Sequence, residues 1–470
     1  MFLLCSGFGA SFLSMSPARD SHGPRTAAPP VPGGPIAAPL HPLTAKAAQT
    51  NATQSKAAQP KAVSGGARIA SPPIKTRAER IMGRLAEERR TAAPALPDSL
   101  ADSLPAALDG ETGTGVEAER RRGRGAVSNA AGRFEPAARV LFDDGWQTLE
   151  DLPPFRTEVT EERARTIITR NQSPDIAFDR SINVYRGCEH GCIYCFARPT
   201  HAYQGLSAGL DFETKLFVKP DAAELLAREL SHPSYKPRVI AMGTNTDPYQ
   251  PIERRYELTR RILEVLADFG HPVGIVTKSA LVVRDIDILG PMAEKGLAKV
   301  AISMTTLDPH LSRTMEPRAA SPHVRLGTIR RLTDAGIPTA VLTAPLIPAL
   351  NDMEIERILD AAKAAGASEA GYVMLRLPLE IADLFREWLV AHFPDRARHV
   401  LNLIRQMHGG KDYDSTFGKR GRGDGPYAWT VGRRFEIAAR RLGLAGRGLK
   451  LTTDHFRRPK QPGEQLDLFA

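Results

Sequence analysis

From Ser181 onward the apolar positions arrive in a repeating order: a short β-rich run, then apolar residues at helical spacing, then a glycine. Such alternation marks strand and helix units whose strands run parallel in one sheet. Six strands are predicted, at Ile182 to Tyr185, Val239 to Met242, Val273 to Thr277, Val300 to Thr305, Thr339 to Ala344 and Gly371 to Leu375. Between the second and third, Leu258, Ile262, Val265, Leu266 and Phe269 share one helical face, and Gly270 stands where a left-handed residue ends the helix. Gly296, Gly336 and Gly366 are expected to close the next three helices, and Asn351 or Asp352 to cap the helix through Ile355, Ile358 and Leu359. The class is α/β. Six units suit a partial, open (β/α)6 barrel better than the closed eight-stranded form, with chemistry at the C-terminal strand ends.

After Pro378 the pattern turns helical. Ile381, Leu384, Phe385, Trp388 and Leu389 form one stripe, Val400, Leu401 and Ile404 a second, and Phe435, Ile437 and Leu442 mark a final helix. These helices are expected across the barrel's open side, with the loop His408 to Tyr427 over its mouth. Upstream, Ser16 to Gly115 is dominated by Ala, Pro, Ser, Thr and Gly, too poor in large apolar groups to offset the entropy of ordering the backbone. Arg120, Arg121, Arg122 and Arg124 read as a solvated linker, and order is expected to begin near Gly125. The expected divisions are a disordered region over 1–124, an extension over 125–180 carrying Phe142, Trp146, Leu149, Ile167 and Ile168, a barrel core over 181–378, a helical extension over 379–445 and a flexible tail over 446–470.

Hydrophobic residues make up 42% of the chain, enough for a core, and nowhere run unbroken for the length a membrane helix needs. The chain is therefore read as soluble. Lys and Arg exceed Asp and Glu by 63 to 53, a balance of +10 that favours polyanions such as nucleic acid. Only four cysteines occur and three lie close together, unlike a secreted disulfide framework, so a reducing cytoplasm is expected. The opening MFLLCSGFGASFL is apolar but lacks a basic region before it and a clear cleavage site after it; Met15 and Met82 are alternative starts.

The stretch RGCEHGCIYCFAR, Arg186 to Arg198, follows the first predicted strand and spaces Cys188, Cys192 and Cys195 as C-x3-C-x2-C. Three thiolates on one glycine-bearing loop reach three corners of a 4Fe-4S cubane and leave the fourth iron open for chemistry. The remaining cysteine, Cys5, lies far away in the tail. His190 inside the loop offers the alternative of a Cys3His zinc site.

Through Cys188, Cys192, Tyr194 and Cys195 the sequence resembles the radical S-adenosylmethionine (SAM) superfamily over roughly Asn171 to Leu377. The resemblance implies a cluster whose open iron binds SAM, and its reductive cleavage to a 5'-deoxyadenosyl radical. SINVYRGCEHGCIYCFARPTHAY, GTNTDPYQPIE, IVTKS and MTTLDPHLSRTMEPR resemble the branch related to spore photoproduct lyase, which implies a nucleic-acid-associated substrate, lyase-like chemistry and DNA repair. In that family the loop after strand two holds the methionyl amino group, so Asn245 and Asp247 are candidates, with an Asx turn as the alternative. Ser303 and Thr305 are candidates for the ribose or carboxylate, with backbone-satisfied hydroxyls as the alternative. Lys278, Glu316, Arg318 and Arg376 also follow strand ends, where a charge needs a cofactor, a substrate phosphate or a salt-bridge partner. The lyase returns hydrogen through a cysteine away from the cluster; this barrel has none, leaving Tyr203, Tyr249 and Tyr372 as relay candidates.

The leading expectation is thus a radical SAM enzyme with an external one-electron donor. Modification of a peptide or small metabolite, and a non-catalytic iron-sulfur redox protein, are the alternatives. The closing Gln465-Leu-Asp-Leu-Phe469 resembles the pentapeptide by which bacterial repair and replication proteins grip the sliding clamp, a further expected partner.

Overall fold

Strands made almost wholly of Val, Ile, Ala, Leu and Met need both faces covered, and parallel βα repeats provide this by laying a helix on one side and the barrel interior on the other. The computed structural model describes residues 115–137, 153–445 and 450–459. Its strands are β1 (Glu158–Glu161), β2 (Ile168–Arg170), β3 (Arg180–Ile182), β4 (Tyr185–Arg186), β5 (Lys215–Val218), β6 (Ile240–Met242), β7 (Val273–Thr277), β8 (Ala298–Ser303), β9 (Thr339–Leu346) and β10 (Glu369–Met374). The main sheet has the order β10-β9-β8-β7-β6-β3-β2. Six of its strands run parallel, as the open (β/α)6 reading requires, and β2 adds an antiparallel edge, Ile168 facing Ile182. Every residue of β7, β8 and β9 is buried.

Between these strands lie α1 (Ala222–Ser231), α2 (Leu258–Asp268), α3 (Ile286–Glu294), α4 (Pro322–Asp334) and α5 (Ile355–Ala364). In α2 the residues Leu258, Ile262, Leu263 and Leu266 are buried on one stripe. Gly270, Gly296, Gly336 and Gly366 all take positive φ as expected. Asn351 does not cap α5. Its side-chain amide donates instead to Thr305 O (2.8 Å) and Pro345 O (3.0 Å), tying the end of β8 to the end of β9.

The first predicted strand divides. Arg180 to Ile182 pairs with β6, whereas Tyr185 and Arg186 leave for a second sheet ordered β1-β5-β4. The break falls at Asn183, whose side chain accepts the Asn245 N–H (3.1 Å). Ile167 is buried on the core from the N-terminal side, while Phe142, Trp146 and Leu149 lie outside the described residues. Arg124, read as linker, is buried, with its guanidinium on Glu213 O (2.8 Å) and Thr157 Oγ1 (3.1 Å).

The C-terminal helices α6 (Ile381–His392), α7 (Pro394–Met407) and α8 (Gly425–Arg441) bury the predicted stripes, except that Ile437 faces solvent because it sits two residues from the buried Phe435. Phe435 packs on Tyr372 of β10 with ring centroids 4.6 Å apart. β10 is the sheet's outer strand, and its Ala370 and Met374 N–H groups donate to Leu444 O (3.1 Å) and Gly421 O (2.9 Å). Residues 450–459 dock beneath the strands: Thr452 N–H donates to Gly296 O (3.1 Å), Arg457 N–H to Phe269 O (2.9 Å). Gln465 to Phe469 lies outside the described residues. No described helix is long and apolar enough to cross a membrane.

Candidate functional site

A cavity opens at the C-terminal ends of the strands. Small or apolar groups, Val276, Ala344, Pro345 and Val373, form part of its lining, and the polar groups come from the loops that follow each strand. Gly243, at the end of β6, also lines it with φ +85, and a Cβ there would sit 2.0 Å from Val276 O, so only glycine lets this loop turn against β7.

The cysteine loop leaves β4 and is pinned from several sides. Cys188 N–H donates to Phe212 O (2.9 Å), Ile193 N–H to Met315 O (3.0 Å) and Glu189 N–H to Gln250 Oε1 (2.9 Å). All three expected cysteines line the cavity. Burial pushes the Cys188 and Cys192 thiols up, Cys192 to about 12; at Cys188 the charge of Asp247 and then the other two sulfurs add to it. Two buried thiols that hold their protons this firmly become thiolates only against a strongly cationic group, and multinuclear iron supplies that charge. Among the described residues no three His, Cys, Asp or Glu side chains close around a single ion, and His190 turns its Nδ1 to Asp247 Oδ2 (3.4 Å). The donor set therefore fits a 4Fe-4S cluster better than Cys3His zinc.

The other candidates separate into two groups. Asn245, Lys278, Ser303 and Arg376 line the cavity, whereas Thr305 does not. The Thr305 hydroxyl donates to Glu316 (2.5 Å) behind it. Asp247 reaches the cavity but spends its oxygens on the protein: Oδ1 accepts from Tyr249 N–H (2.9 Å) and Thr277 Oγ1 (2.7 Å), and Oδ2 from Lys278 N–H (2.8 Å). Burial opposes its ionisation, but the His190 ring and these hydrogen bonds outweigh burial and hold Asp247 down to about 2. It is the centre of an Asx turn that fixes the loop where it lines the cavity. Ser303 donates to Ala344 O (3.3 Å) and accepts from Lys278 Nζ (3.1 Å).

Of the four strand-end charges, Glu316 pairs with Arg325, deep in the protein, and Arg318 with Glu189 (3.2 Å). Burial pushes the Glu316 carboxyl up, but the Arg325 guanidinium prevails and keeps it below the usual range. Lys278 and Arg376 are different. Lys278 Nζ sits 5.7 Å from the Tyr194 ring centroid and the Arg376 guanidinium 5.0 Å from that of Phe196, and neither has a carboxylate within ion-pair distance among the described residues. Burial lowers the Arg376 pKa. None of the tyrosines singled out for a radical relay lines the cavity: Tyr203 is exposed, Tyr249 donates to Asp285 (3.1 Å) and Tyr372 packs on Phe435. Tyr194, which the motif itself carries, does line it, with its hydroxyl on Glu316.

A family model described as the Radical SAM superfamily matches residues 182–362. An uncharacterized protein of Mycobacterium tuberculosis is 37% identical over 241 residues, covering 50% of this chain and 71% of its own length. An uncharacterized protein of Methanocaldococcus jannaschii is 28% identical over 247 residues, 53% of this chain and 88% of the other. Among solved structures, spore photoproduct lyase complexed with dinucleoside spore photoproduct is similar at 15% identity, with a TM-score of 0.44 over 60% of this chain and 79% of that one.

Proposed function

The chain belongs to the radical SAM superfamily, whose cofactors are a 4Fe-4S cluster and SAM, and from that premise we propose that it is a radical enzyme acting on a nucleic-acid-associated, phosphate-bearing substrate. Cys188, Cys192 and Cys195 hold the cluster in this reading. When bound, the pair supplies a one-electron reductive cleavage that delivers a 5'-deoxyadenosyl radical for hydrogen abstraction. Lys278 and Ser303 are the groups for the SAM carboxylate, and the Asn245 side-chain amide, which lines the cavity, for its amino group. The apolar lining from Val276, Ala344, Pro345 and Val373 keeps water away from the reacting carbon.

The observation that carries the substrate class is Arg376, a half-buried guanidinium over Phe196 with no carboxylate within ion-pair distance among the described residues. Desolvating an unpaired cation is costly unless an anion completes it, and guanidinium beside an aromatic face is suited to phosphate next to a stacked base. The net charge of +10 and the lyase-like motifs support the same reading. DNA repair is its narrower form. The barrel has no further cysteine to return hydrogen, so this chain does not repeat the thiol route of the lyase. A sliding clamp engaged by Gln465 to Phe469 belongs to the same proposal and is tested by binding of a Pro459 to Ala470 peptide, with Phe469→Ala as control.

Anaerobic reconstitution with dithionite and SAM tests the reading. Formation of 5'-deoxyadenosine carrying deuterium from labelled DNA or RNA supports it. Deuterium from a peptide or metabolite fraction instead moves the substrate class, and cluster uptake with no SAM cleavage leaves a redox protein.

A further inference from the structure

Resting on the cluster reading above, we infer that the segment preceding the barrel, Arg124 to Ala126, is a working part of the cluster holder, coupled to the cysteine loop through the buried pair Glu213 and Arg198. This segment lies outside the residues that the family model matches.

Glu213 and Arg198 are wholly buried and lie 2.5 Å apart. Arg198 spends its donors on backbone carbonyls that shape the loop: Nε on Cys192 O (2.9 Å), Nη1 on Ala208 O and Gly209 O (3.0 Å each), Nη2 on Gly191 O (3.2 Å). Two of those carbonyls belong to the loop between the first and second cysteines and to the second cysteine itself. Glu213 faces the other way. Its Oε2 accepts the Gly125 N–H (2.8 Å) and its Oε1 the Ala126 N–H (2.9 Å), while its own backbone carbonyl accepts from Arg124 (2.8 Å). The N-terminal segment thus lies flat on the loop. A Cβ on Gly125 would come 1.9 Å from Gly191 O, closer than any atom pair tolerates. A second strand of the same brace runs from Arg124 to Thr157 (3.1 Å) and from Thr157 to Glu189 (2.7 Å), the residue after Cys188.

Carbonyls that point outward into a fixed guanidinium turn the neighbouring amides and sulfurs inward, and a buried ion pair with every donor matched holds one geometry where a flexible loop holds many. Outer partners of metal ligands commonly govern affinity by 10-fold to 100-fold. Neither Arg198 nor Glu213 lines the cavity, and both are positioning residues.

The test uses the full chain, reconstituted anaerobically, and follows iron release to a chelator together with the electron paramagnetic resonance spectrum of the reduced protein. Glu213→Gln sets an amide N–H2 against a backbone N–H. Gly125→Ala lifts the segment from outside while leaving the Glu213 and Arg198 side chains themselves unaltered. Both are expected to release iron on the order of 10-fold faster and to change the spectrum, beyond what any lowered melting transition of the iron-free protein accounts for. Wild-type release rates and spectra in both variants overturn the inference. So does iron loss that only tracks a lowered melting transition of the iron-free chain, which assigns the brace to the fold in general. A wild-type chain that takes up no iron overturns the cluster reading itself.

Discussion

The cysteine loop has two sides with opposite chemistry. On its outer side Arg198, Glu213, Glu189 and Arg318 match donors with acceptors, and nearby Glu316 and Arg325 do the same. On its inner side Lys278 and Arg376 bring two cations to a cavity where, among the described residues, neither has a carboxylate within ion-pair distance. The protein settles its own electrostatics wherever folding alone must be served and leaves a surplus where a ligand is to complete it. Residue type did not distinguish these sides; partners did.

The contrast yields graded expectations. The largest effect belongs to the sulfurs: Cys188→Ala, Cys192→Ala or Cys195→Ala leaves two ligands and is expected to abolish bound iron and brown colour, measured as iron per chain, whereas Cys5→Ala retains both. Full iron in any single cysteine variant breaks the comparison at its centre. Next comes the matched side. Arg325→Met strands the buried Glu316 charge and is expected to cost about 3–5 kcal/mol in denaturant unfolding.

Acid tests burial itself through His201, beside Phe212, and His271, beside Tyr235 and Phe456, which burial depresses from 6.5 to about 4 each. Both stay neutral in the fold while the unfolded chain takes up protons. Their contribution is complete above pH 6.5 and is lost as pH falls toward 4, up to ~3 kcal/mol per ring. Unfolding midpoints between pH 7 and 4 report it, and His271→Gln is expected to flatten the slope. A smaller stability effect marks the surplus side: Arg376→Met and Lys278→Met are expected to change stability by less than ~1 kcal/mol. Ligand binding is where they act, with roughly tenfold weaker binding of a single-stranded oligonucleotide to Arg376→Met and of SAM to Lys278→Met by isothermal titration. Smallest of all, a chain beginning at Val116 is expected to keep iron uptake and SAM cleavage, since Arg124 to Ala126 remain.

Much of the barrel was legible because its signals are local. The apolar runs gave the strands and the four glycines gave the helix ends, since period and φ preference act within a few residues. The cysteines were equally plain. What escaped is long-range. Nothing near Arg124 or Gly125 announces that Glu213, 88 residues from Gly125, will take its amide. The first strand divides at Asn183, whose side chain accepts the Asn245 N–H, and the Asp247 acceptors are filled from Thr277 and Lys278 on the next strand. Asn351 looked like a helix cap by position, yet its side-chain oxygen accepts the Ile347 N–H (2.6 Å) and its amide donates to two carbonyls at strand ends. Ser303 ends β8 and lines the cavity, whereas Thr305 lies past the strand with its hydroxyl on Glu316.

The outer strand β10 carries a consequence for solubility. An uncovered strand offers its backbone to any passing chain and seeds edge-to-edge aggregation. Here Gly421 and Leu444 carbonyls occupy the N–H groups of Met374 and Ala370, and α8 roofs Tyr372. The C-terminal extension is therefore also a guard against self-association. Cutting the chain after Met407 strips that guard from a strand of buried, β-prone residues, and the shortened protein is expected to pellet or form soluble oligomers even where its barrel is intact.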